Sequence, residues 1–85
     1  MKTNTSPTQT EINAFYTARR IASAMLESLV PMAFADGTAT LRSLWDAVQA
    51  DYDATHGMPV ERAECLGRRD ALKHEANRRG WHMCW

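Results

Sequence analysis

The sequence predicts an all-α fold, a small three-helix bundle with an aromatic C-terminal tail. Apolar residues recur at three- and four-residue spacing in separate stretches, and each stretch is bounded by residues that start and stop helices. The composition agrees: 85 residues, 45% hydrophobic and 24% charged, make one globular domain with a modest core.

The first helix is expected over about residues 7–30, after a flexible start at residues 1–6. Ser6 can cap it, Pro7 suits the first helical position, and Gln9 can complete a capping box. Thr8 to Glu11 forms a competing box two residues later. Ile12, Phe15, Tyr16, Ala22, Leu26, Leu29 and Val30 make an apolar stripe that only Arg19 interrupts. Pro31 ends the helix, because it lacks an N–H donor and disfavours helical geometry at Val30. An extra short turn at 31–35 fits before Asp36-Gly37 closes the segment, with Phe34 plugging one end of the core.

The second helix is expected over 39–55, capped by Thr38 or Thr40, with Leu41, Leu44, Trp45, Val48 and Tyr52 as its apolar stripe. Gly57 can take the left-handed geometry common just past a helix end. The third helix is expected over 59–79, opened by Pro59 and stopped by Gly80. Its apolar content is thin, and Gly67 costs about 1 kcal/mol relative to alanine in mid-helix. Gly67 and the nearby alanines permit close approach of another helix. Glu64–Arg68, Asp70–His74 and Glu75–Arg79 are acid-before-base pairs at spacing four. Beyond the stop lies Trp81-His82-Met83-Cys84-Trp85. This tail either folds back onto the bundle or presents a patch to a partner. Folding back is favoured, since a small core gains from two tryptophans.

Formal net charge is zero, so no global positive field attracts phosphate. The distribution is uneven. Residues 36–55 hold four acids (Asp36, Asp46, Asp51, Asp53) against Arg42, a net of −3. Residues 59–80 hold six bases (Arg62, Arg68, Arg69, Lys73, Arg78, Arg79) against Glu61, Glu64, Asp70 and Glu75, a net of +2. These two segments are expected to attract each other. Two cysteines make no disulfide framework, no apolar run spans a bilayer, and residues 1–10 lack a signal-peptide core, so a reducing cytoplasm is the expected setting.

Catalytic and metal motifs are absent. Cys65, His74, His82 and Cys84, with His56 in reserve, lack the two closely spaced pairs that a tetrahedral zinc site uses. Neither cysteine has a nucleophile context, Asp51 and Asp53 fall on different faces of a helix, and no glycine-rich phosphate loop exists. No enzyme activity, cofactor or metal is expected. Protein binding remains, because Arg, Trp, Tyr and Met are enriched at interfaces. Met25 and Trp45 are assigned to the core. Arg68, Arg69, Lys73, Arg78, Arg79, Trp81 and Trp85 are the candidate partner-binding residues. The expectation is a small regulator or inhibitor of another protein or nucleoprotein complex. Phage inhibitors of host defence, anti-CRISPR-like ones among them, are an analogy from size and character. The alternative is a small DNA-binding regulator using the same arginines, and a second copy could complete the narrow apolar face of the third helix.

Overall fold

In a computed structural model of the chain, residues 8–82 are described. The expected flexible start, the Ser6-Pro7 signal, and Met83, Cys84 and Trp85 lie outside them. Three helices come in order, α1 (Gln9–Leu29), α2 (Phe34–Ala54) and α3 (Pro59–Arg78), with no strand among the described residues. The fold is all-α and bundle-like, as the periodicity predicts. None of these helices is long and apolar enough to cross a membrane.

The Thr8 box starts α1: the Glu11 N–H donates to Thr8 Oγ1 at 3.2 Å, satisfying one of the orphan donors of the first turn. Val30, extended before Pro31, ends it. The start of α2 departs from expectation. It begins at Phe34 rather than near 39, and Asp36-Gly37 lies within its first turns. Thr38 and Thr40 are therefore no caps; their hydroxyls bond back to the Ala35 and Asp36 carbonyls at 3.1 and 2.8 Å. Asp36 suits a first helical turn, where its charge meets the positive end of the helix dipole. Gly37 is tolerated because its missing side chain makes room for the Trp81 ring. A Cβ there would lie 2.6 Å from Trp81 Cζ3 and 2.8 Å from the Pro31 carbonyl.

Helix α3 runs through the middle, and every close helix–helix approach among the described residues involves it. It is parallel to α1: Pro59 and Arg62 lie beside Glu11 and Ile12, and Arg79 at the other end donates to the Pro31 carbonyl at 2.7 Å. It is antiparallel to α2, since Arg62 covers Tyr52 and Trp81 sits on Gly37. The α1–α3 crossing is a backbone contact. A Cβ on Gly67 would collide with the Phe15 carbonyl oxygen and lie 3.1 Å from the Arg19 nitrogen. The core gathers Leu26 and Val30 of α1 and its end, Leu41, Trp45 and Val48 of α2, and Cys65, Ala71, Leu72 and Ala76 of α3. Met25, assigned to this core by periodicity, is instead half exposed.

Trp81 closes the core from the end. Gly80, at φ +73°, turns the chain so that its N–H meets the Asn77 carbonyl and the Trp81 N–H meets that of Ala76, at 3.0 and 2.9 Å. This is the Schellman arrangement, which aims the residue after the glycine back at the last turn. Phe34 does not plug the core; it lies 60% exposed and meets Trp81 edge-on, centroids 5.8 Å apart.

Gly67→Ala tests the crossing. Alanine gains about 1 kcal/mol of helix propensity, but forcing two backbones apart costs more, about 1–3 kcal/mol beyond that gain. Urea denaturation should therefore give a lower midpoint for Gly67→Ala; a higher midpoint would mean α1 does not seat on Gly67.

Candidate protein-interaction surface

The last turn of α3 shows what the arginines do. Glu75 is 5% exposed, yet it is charged. Arg78 grips it through two bonds, Nε–Oε1 at 3.1 Å and Nη2–Oε2 at 2.6 Å, and Arg79 Nε reaches Oε2 at 2.7 Å. The Arg79 side chain is only 7% exposed; it also bonds the Pro31 carbonyl and lies 5.0 Å from the Trp81 ring centre. Buried charge survives when it is paired and hydrogen-bonded, and this cluster meets that condition. Arg79 and Trp81, expected at the contact surface, are thus built into the fold. Trp85 lies outside the described residues.

The remaining bases of α3 lie along α2. Arg68 Nη1 is 3.4 Å from Asp51 Oδ2, and its Nη2 is 3.3 Å from Cys65 Sγ. Arg62 lies over the Tyr52 ring at 4.0 Å, Arg69 over Trp45 at 4.8 Å and Tyr52 at 5.4 Å, and Lys73 over Trp45 at 5.5 Å. The attraction expected between the second and third segments is thus one ion pair and a row of cations on aromatic faces. Arg69 Nε is buried with no hydrogen-bond partner among the described residues, beneath a guanidinium that lies on the two rings. Of the expected intrahelical pairs, Glu75–Arg79 forms, while Arg68 turns to Asp51 and Asp70 to Arg19 at 2.9 Å.

Beside this row lies a surface that sequence reasoning missed. Between the first halves of α1 and α3 runs an open crease of about 560 Å³, walled by Ile12, Phe15, Tyr16, Ala63 and Leu66, with Glu11 and Arg62 on its rim. Phe15 and Tyr16 meet edge-to-face, centroids 5.1 Å apart. A hollow of about 260 Å³ continues from Phe15 and Leu66 to Arg69 and Lys73. Tyr16 and Leu66 are exposed. Periodicity places Tyr16 in the core stripe, but α3 is too narrow there to cover it. The signal for this lies in the width of the α1 stripe set against the thin apolar face of α3.

The chain matches no family model, no curated protein and no solved structure. Its surface therefore speaks only through its own geometry. Among the described residues, no three His, Cys, Asp or Glu side chains gather to hold a metal ion.

The Arg78 hydrogen bond, opposed by burial and aided by Arg79, holds the Glu75 carboxyl below its ordinary 4.5, and the same bond raises Arg78. A carboxyl lowered on folding contributes stability above its unfolded value, and that contribution is lost as pH falls through the folded value. Glu75→Gln should therefore lower stability at neutral pH by on the order of 3 kcal/mol, since Arg79 stays buried without its counter-charge. Stability measured by denaturant from pH 7 downward should fall less steeply below 4.5 in Glu75→Gln than in the parent. Parallel curves would detach Glu75 from the acid response.

Proposed function

We propose that this is a small non-enzymatic binding protein that covers an acidic surface of a partner protein or nucleoprotein complex. The observation that carries the reading is the α1–α3 face: an apolar aromatic centre of Phe15, Tyr16 and Leu66 beside the cations Arg62, Arg69 and Lys73. Aromatic and arginine side chains clustered in a partly desolvated depression are the composition of interface hot spots. Stacking on Tyr52 and Trp45 holds the guanidiniums of Arg62 and Arg69 in place, so little side-chain entropy remains to be lost on binding. Lys73 is exposed and adds charge at the rim.

A regulator or inhibitor works by occlusion, which needs only such a surface. Phage-borne inhibitors, including anti-CRISPR-like ones, are an analogy for that way of working. The rival reading, a DNA-binding regulator, is weakened by the same contacts. Arg68, Arg78 and Arg79 are bonded to carboxylates rather than presented to phosphate.

A photo-crosslinking residue placed at Tyr16, with one at exposed Ala50 of α2 as control, tests the reading in extract of the source cell. The Tyr16 probe should give one adduct, competed by unlabelled protein and lost on combining Leu66→Ala with Lys73→Glu. The Ala50 probe should give none. Tight duplex binding that falls steeply with salt would transfer the surface to nucleic acid.

A further inference from the structure

Helix α1 is apolar on two neighbouring faces, and α3 covers one. On the other, Ala14, Ala18, Ile21 and Met25 come at spacings of four, three and four, with Leu29 a turn further on. That is the spacing of a helix–helix seam. Ile21 and Met25, in the body of α1, and Leu29, its last residue, are 54, 53 and 51% exposed. Across a groove stand Leu44 and Ala47 of α2, with Arg68 and Leu72 of α3 as floor. Among the described residues lining the groove, the charged groups are Asp51, Arg68 and Glu64, and the first two are paired with each other.

We propose that α1 of a second copy covers this seam, packed antiparallel about a two-fold axis level with the Arg19–Arg20 bond. The seam is complementary to itself in that register. Ala18 faces the partner's Ile21 and Ala14 faces the partner's Met25, and the two-fold axis repeats both layers. Each layer then sets one bulky side chain against one alanine, the alternation that fills a helix interface at low strain. A parallel pair would stack alanine on alanine and isoleucine on isoleucine, leaving gaps and bulges. An alanine in every layer also allows a close interaxial distance of about 8 Å.

Of the charges near the axis, Glu64 borders Ala18 and Ile21 in a hollow it shares with Arg68, and the two arginines at the axis turn elsewhere. Arg19 is drawn to Asp70 on the α3 side, and helix geometry points Arg20 away from the seam. A stable interface needs about 800 Å² per protomer. Leu29, Leu44 and Ala47 add area, because the first half of the incoming α1 lies along them. The stacked cations of α3 play no part. This face lies away from the aromatic crease, and a dimer leaves that crease open.

Sedimentation equilibrium of the full chain over a concentration series tests the proposal. The parent should show a reversible species of twice the chain mass. Met25→Glu and Ala14→Lys should each raise the dissociation constant roughly tenfold or more, since each sets a charge in an apolar layer. Neither position is buried in the single chain, so helical circular dichroism should be unchanged. Ala14→Lys combined with Met25→Glu should restore the dimer, because each lysine then faces the partner's glutamate. A parent that is monomeric at every concentration overturns the proposal, as does a dimer indifferent to Met25→Glu or a double variant no tighter than the singles.

Discussion

Trp81 and the Glu75 cluster together tie the three helices at one end. Gly80 turns the chain, the ring drops onto Gly37, and Arg79 runs from the Glu75 carboxylate to the Pro31 carbonyl. Those contacts join the end of α3 to the link between α1 and α2 and to the first turns of α2. Without the ring, a glycine in an early turn of α2 would be a plain cost in backbone entropy. With it, that glycine is the seat of a buried indole. The charged cluster has the opposite character: it is tolerated because its members bond one another, and removing one strands the rest.

The middle position of α3 has a second consequence. A helix packed on both sides presents small residues where backbones approach, as at Gly67, and only a few larger apolar ones elsewhere. It can therefore cover only part of a wide apolar helix such as α1. The uncovered remainder falls on two sides: Tyr16 with Leu66 in one crease, and Ile21, Met25 and Leu29 along the other. Exposed aliphatic and aromatic side chains on so small a protein are the expected result of a central helix with a narrow face.

The arginines divide by surroundings. Those of the last turn grip one buried carboxylate, Arg79 from inside the fold, where it also holds a carbonyl, and Arg78 from its surface. Arg62 and Arg69 and the nearby Lys73 lie on aromatic rings, where the cation is attracted without being neutralised. Guanidinium suits this better than ammonium, being planar and more weakly hydrated. A row of preoriented cations beside an apolar depression suits the acidic partner surface we propose, and net neutrality of the chain is no obstacle at that short range.

Local patterning is enough to specify three helices, most of the core and the small-residue approach of α3. Apolar spacing and proline and glycine punctuation act over a turn or two of chain, so they can be read without any partner. Trp81 folding back is legible for a similar reason, since a glycine just past a helix directs the next residue onto its last turn. The continuation of a helix through Asp36-Gly37 is different, because its reason lies 44 residues away in the Trp81 ring. Likewise, Arg68 and Asp70 leave their neighbours at spacing four for Asp51 and Arg19, which only packing brings within reach. Which apolar residues stay uncovered is also settled in three dimensions. A stripe shows which face of a helix is apolar, but how much of it is buried depends on the width of the helix laid against it.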